Sequence, residues 1–308
     1  MVAMLTCPLC TKEVSEFHKR SHLLPEWMYT ECYDHKHKLL EVSRADQKLV
    51  KKQKGTYGSF MCSECERETQ RYDHYASLIL TARSPNSPEY RAVMRKSFSE
   101  YHRGVRHDFS RWENIDFKKF QQFVFAIILR THFAGKMGGV LSLSKKHLDA
   151  ILNIYRGNSK VDDYSYPILL TEYPREDNLR SHIVIPFINK KGGHHTVDFA
   201  GAGYLFQVYV SSHSKPWFVE SLRLKTDGSI FVINMLLQEM GLYKNMVELV
   251  HTAKNASKFT EGIAQQPHQP DANKAWRRLC GVLCGSKVKL HSSRNSLQRG
   301  FRMRKVPS

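Results

Sequence analysis

Apolar positions recur at helical spacing in three places along the first half of the chain. TQRYDHYASLILTAR reads as a helix that SPNSP stops at Pro85 and Pro88. WENIDFKKFQQFVFAIILRTHFAG sets Ile115, Phe120, Phe123, Phe125, Ile127 and Ile128 in a dense apolar helix ending at Gly135. SLSKKHLDAILNIYRG carries Leu148, Ile151, Leu152 and Tyr155 at the same period, with Gly157 as its stop. EYRAVMRKSFSEYHR, opening after Pro88, is predicted helical as well.

The texture changes after Lys160. YSYPILLTEY, SHIVIPFI, TVDFAGAGYLFQVYVSS, WFVESLRL and GSIFVINML are short β-branched and aromatic runs separated by turn residues, and KTDGSI supplies an Asp-Gly hairpin signal. The expected class is α+β. An opening cysteine-bearing module (residues 1–80) precedes an α+β domain (81–270) with helices over about 88–157, an antiparallel sheet over about 161–236 and a last helix over about 240–258. A basic tail (271–308) follows.

Composition narrows the class. With 308 residues, 41% hydrophobic and 25% charged, the chain can bury a proper core. No window approaches 18 consecutive apolar residues, and MVAMLTCPLC lacks the features of a secretory leader, so no membrane partner and a cytoplasmic location are expected. There, paired cysteines point to metal. The net charge of +18 is unevenly spread: +1 over residues 1–80, +7 over 81–271 and +10 over 272–308, the last with no acid at all. Such a tail is drawn to polyanions, because each neutralised phosphate releases counterions. Nucleic acid is the expected partner, DNA ahead of RNA, with a protein partner as a further candidate.

Two pairs carry the chemistry: Cys7 and Cys10 in CPLC, Cys62 and Cys65 in CSEC. Together they can supply four thiolates to one tetrahedral zinc, although 51 residues stand between the halves. Cys32 reads as core, and Cys280 and Cys284 as incidental. Other polar clusters read as structural: Asp34, His35 and His37 as a polar loop, and His194, His195 and Asp198 as strand residues whose neighbours face opposite ways. FAGAGYLF has no phosphate-loop signature, and Tyr204, Phe206, Tyr209, Trp217 and Phe218 read as core.

The order CxxC, RSHLLPEWMY, insertion, CxxC resembles zinc-containing members of the HNH endonuclease family, over about residues 7–75. SHLLP matches that family's D/E-H-I-[IVL]-P with Ser21 in place of the acid. The resemblance implies a ββα-metal module, a structural zinc on the four cysteines, His22 as the base that activates water, and a catalytic Mg2+ or Mn2+. Zinc-bearing HNH proteins of this kind occur in prokaryotic defence and mobile-element systems. Two positions depart from the family: GTYGSFM offers no Asn before the second pair, and Glu66, then Asp73 and His74, stand where a last His or Asn is expected. Glu66 and His74 are the carboxylate and imidazole expected to complete the site. The alternative is a catalytically inactive zinc module that binds nucleic acid or a partner.

Overall fold

The computed structural model describes residues 4–43, 48–102, 105–135, 141–160, 162–174, 182–191, 193–213, 215–235 and 282–284. It is a mixed helix and strand structure with a large, mostly antiparallel sheet. The opening module contributes β1 (Leu5–Thr6), β2 (Glu13–Val14), β3 (Ser21–His22), α1 (Glu26–Tyr29), β4 (Leu39–Ser43), β5 (Lys48–Lys52), β6 (Tyr57–Gly58) and α2 (Ser63–Leu80). The rest comprises α3 (Pro88–Ala92), β7 (Met94–His102), β8 (Val105–Glu113), α4 (Phe117–Ala134), α5 (Lys145–Tyr155), β9 (Ile168–Glu172), β10 (Ile183–Lys191), β11 (His194–Gly201), β12 (Tyr204–Tyr209), α6 (Trp217–Leu222), β13 (Ile230–Asn234) and β14 (Val282–Cys284).

Seven strands run side by side in the order β10-β11-β12-β9-β13-β8-β7. All of these neighbours are antiparallel except β13 and β9, which run parallel. The short β14 pairs in parallel with both β10 and β4, which brings the β4–β5 hairpin to the end of a ten-stranded sheet with β5 outermost. β11 turns into β12 through Ala202 and Gly203, at φ 53° and 82°, the left-handed pair that a two-residue hairpin turn requires.

α4 is capped by Asp116, whose side chain accepts from the Lys119 amide, and is buried almost all round. Such a helix has no solvent stripe because it is wedged between layers. Phe120 and Phe123 meet Phe206 of β12, which stacks on Phe199 of β11 at 4.6 Å. Each buried phenylalanine contributes roughly 1.5–3 kcal/mol. On its other flanks α4 meets α2 and α5. The opening module shares this core. Trp27 of α1 stacks on Phe123, and Met28 lies so close to β11 that a Cβ on Gly201 would come within 2.7 Å of it.

The helices read from the sequence around 69–80, 117–134 and 145–155 are present, and Gly157 ends the last at φ 76°. Two segments differ. The helix opened by Pro88 lasts only five residues, and MRKSFSEYH pairs with VRHDFSRWE as the β7–β8 hairpin. Its period is two: Ser97 faces Ser110 across the ladder, and Phe98 stacks on Phe109 on the opposite face. WFVESL is helical, because Val219 and Leu222, three apart, both turn toward Leu169 and Tyr209. The Asp-Gly turn therefore joins α6 to β13 rather than two strands. Gly228 is required there twice over, by its φ of 81° and by the Ile115 carbonyl that a Cβ would meet at 2.3 Å. The helix expected at 240–258 and, apart from β14, the basic tail lie outside the described residues.

Among the described residues no helix is long and apolar enough to cross a membrane.

Candidate metal centre

The two cysteine pairs arrive on different local structures. Cys7 and Cys10 lie on the loop joining β1 to β2, a tight knuckle in which the Cys7 amide donates to the Lys12 carbonyl and the Thr11 amide donates to the Cys7 carbonyl. Thr11 sits in the left-handed region at φ 61° to close it. Cys62 is the N-cap of α2, its Sγ accepting from the Cys65 amide at 3.5 Å, so the second pair sits at the positive end of a helix dipole. The Cys62 amide also donates to Cys7 Sγ at 3.5 Å. From across the fold, Arg156 at the end of α5 donates to the Pro8 and Leu9 carbonyls and pins the first knuckle.

All four sulfurs lie within 4.8 Å of one another. Cys7 and Cys65 are 3.8 Å apart and Cys10 and Cys62 are 3.7 Å apart. A tetrahedron with 2.3 Å metal–sulfur bonds has an edge of about 3.8 Å, which these two separations match, so the four cysteines could hold a metal ion such as zinc. Three of the cysteines are buried and Cys10 is half-buried. Without a cation these thiols cannot share the charge evenly. The contact with Cys65 holds the Cys7 thiol down at about 4, the same contact pushes Cys65 far above the ordinary thiol range, and burial pushes Cys10 up. A divalent ion removes the conflict by taking all four as thiolates. Among the described residues, this is the one group of three or more His, Cys, Asp or Glu side chains whose donor atoms converge closely enough for a metal.

Beside this centre stands an imidazole–carboxylate cluster. β3 and β6 form a two-residue antiparallel ladder with His22 opposite Tyr57, their rings in edge contact at 6.0 Å, and α2 follows directly. His22 is half-buried and its Nε2 lies 3.2 Å from Glu26 Oε2, one turn along at the start of α1. The other Glu26 oxygen accepts from the Tyr33 hydroxyl. Burial lowers the His22 pKa below its ordinary value, with Arg130 adding to the effect, while Glu26, Glu66 and Asp73 oppose it. Glu66, in the first turn of α2, is buried with Oε2 unpartnered. Asp73 is taken up by Arg130 of α4 in a buried two-pronged contact, at 2.8 and 2.9 Å.

The sequence-predicted residues thus divide. The four cysteines converge, and His22 lies within electrostatic reach of Glu66. His74 is exposed on α2. Eight residues at about 100° each leave it some 80° away from Glu66, whereas Asp73, seven on, returns to the same face. Glu26, Tyr33 and Arg130 were not singled out from the sequence. Glu26 had a signal, four residues past His22 and directly after Pro25. So did Arg130, a lone charge closing the apolar run FVFAIIL.

Cys32 is buried in the core, as are Tyr204, Phe206 and Tyr209, whereas Trp217 and Phe218 are exposed on α6. His194 and Asp198 share a face of β11, and Asp198 accepts from Asn189 and Gln207.

No family model, no curated protein and no solved structure matches this chain. The resemblance to HNH endonucleases rests on the CxxC, SHLLP and CxxC residues themselves.

Proposed function

We propose that the chain is a metal-dependent endonuclease of HNH type, cleaving nucleic-acid phosphodiester bonds with DNA as the favoured substrate. One observation carries the reading. The order β3, β6, α2 stands on a four-cysteine centre, with His22 on the first strand and Glu66, its buried Oε2 unpartnered, on the first turn of the helix. His22 is the base. Its lowered pKa keeps the imidazole neutral at pH 7, and a neutral imidazole carries a ring nitrogen lone pair that can take a proton from water. Glu26, held in turn by Tyr33, is a positioning residue that meets His22 Nε2 at 3.2 Å.

Glu66 fits a hard cation of the Mg2+ or Mn2+ kind, which is ordinarily held by one or two carboxylates together with substrate phosphates. When bound, that ion supplies charge stabilisation at the leaving oxygen. The four cysteines would hold a structural zinc, which would tie the first knuckle to the start of α2.

Purified protein with Mg2+ or Mn2+ is expected to nick supercoiled plasmid, and His22→Ala is expected to lower the rate by about 10²- to 10⁴-fold, the usual worth of a general base. Equal inertness of both proteins across metals and substrates would sink the proposal. The pH profile adds a second check. A base with a depressed pKa is active above that pKa, so activity is retained at neutral pH and lost on an acid limb below about 6.5. Glu26→Gln removes a charge that raises the His22 pKa, so its limb is expected at lower pH than the wild type's, with a reduced plateau. A limb unmoved by Glu26→Gln would remove Glu26 from this role.

A second reading is a non-catalytic zinc module that binds nucleic acid. It is favoured by the Asp73–Arg130 pair, which occupies a carboxylate that a metal would otherwise use, and by the lack of Asn between Gly55 and Met61. It predicts salt-dependent binding untouched by His22→Ala.

A further inference from the structure

The net charge of +1 over the first 80 residues conceals a separation. Residues 35–54, the insertion between Cys32 and the second half of the module, hold seven Lys/Arg against two acids, a net of +5. The remaining residues of the module, 1–34 and 55–80, hold five against nine, a net of −4. The basic share is concentrated on the β4–β5 hairpin and its flanks, at Lys36, Lys38, Lys48, Lys51, Lys52 and Lys54.

Both ends of the insertion are fixed close to His22. At its start, Asp34 Oδ1 accepts the amides of Lys36 and Lys38, His37 turns at φ 54°, and its ring stacks on Tyr33, the residue that holds Glu26. At its end, Gly55 lies flat against the Tyr29 ring, where a Cβ would come within 2.5 Å, and the Thr56 amide donates to the Tyr29 hydroxyl. The chain then enters β6, whose Tyr57 is exposed and in ring contact with His22. Between these anchors Lys51 and Lys54 are exposed and β5 is the outermost strand of the sheet.

We propose that the β4–β5 hairpin is a phosphate-binding arm that lays a nucleic-acid backbone across the His22 site. The proposal rests on the nuclease reading for its purpose. Its physics is separate: a basic surface tethered at both ends to an acidic module gains affinity by counterion release and sets the polyanion beside the anchor. Lysines on an outermost strand also deter strand addition by another chain, and the experiment separates the two roles.

The full chain carrying K51E/K52E/K54E is compared with wild type for binding a labelled DNA duplex of about 20 base pairs, without Mg2+ or Mn2+, between about 50 and 300 mM KCl. Affinity near 100 mM salt is expected to fall at least about tenfold, and the slope of log affinity against log salt to flatten by roughly 2 to 3, about 0.9 per lost phosphate contact. The milder K51Q/K52Q/K54Q chain is expected to move the same way by less, and it decides the matter should the glutamate variant lose its zinc. Unchanged affinity and slope in a zinc-replete variant would overturn the arm. Since no cleavage is read, a failure of the nuclease reading shows instead as a wild-type chain that binds through the arm and never nicks.

Discussion

Cys65→Ser, or stripping with a strong chelator, is expected to unfold the opening module. Elemental analysis of the wild type should return one zinc per chain, and thermal melting should show an early transition only in the stripped or substituted protein. Structural zinc sites bind with apparent free energies of about 10–16 kcal/mol at pH 7, as large as the whole stability of an ordinary domain. The local structure offers little to replace that. β1–β2 and β3–β6 are ladders of two residues each, and the first knuckle meets α2 chiefly through sulfur. Lys12 and Glu64 bridge the same gap at 2.7 Å, but both are well exposed, and a pair of that kind is worth little. A metal-free wild type that melts in one transition at an unchanged temperature would show that the cysteines are only core residues.

Arg130→Met is expected to be the costliest change in the helical layer, at about 3–5 kcal/mol, because it strands a buried carboxylate. Burial already pushes the Asp73 carboxyl above its ordinary value in spite of the guanidinium beside it, so desolvation outweighs attraction in this pair. It follows that the double change Asp73→Leu with Arg130→Met should recover most of what either single change loses. Thermal melts of the four proteins test this, and additive losses would mean that the two side chains stabilise independently. For the proposed site the pair has a second effect: it locks α2 to α4 in the stretch that carries Glu66, so the single variants should also slow nicking, with the acid limb moved to higher pH by Arg130→Met and to lower pH by Asp73→Leu, because Arg130 lowers and Asp73 raises the His22 pKa.

What the sequence disclosed, it disclosed through local rules. α4 and α5 follow from apolar period and glycine stops, and the cysteine quartet from two CxxC spacings, because each of these signals lies within about a dozen residues. The β7–β8 hairpin was obscured because Pro88 does open a helix, one that ends after Ala92, and nothing nearby announces the partner of SFSEY until VRHDFS is paired with it. The placing of β13 between β9 and β8 depends on pairings across 60 residues and more, which no local window contains. In the candidate site, His22 was legible from SHLLP. Its charged contact, Glu26, was not singled out, and Asp73 was grouped with His74 until Arg130 crossed to meet it from another helix.

The clamp that Arg156 places on the Pro8 and Leu9 carbonyls bears on how the molecule is born. Cys7 and Cys10 leave the ribosome long before Cys62 and Cys65, and the arginine that steadies their loop comes nearly 150 residues later. At elongation rates of about 5–20 residues per second, the first thiols wait roughly 7 to 30 s for that support. In that interval two reduced cysteines stand on an unfinished loop, open to oxidants and to stray soft metals. The finished geometry of the first knuckle is therefore reached only after α5 has been made, long after its two thiols.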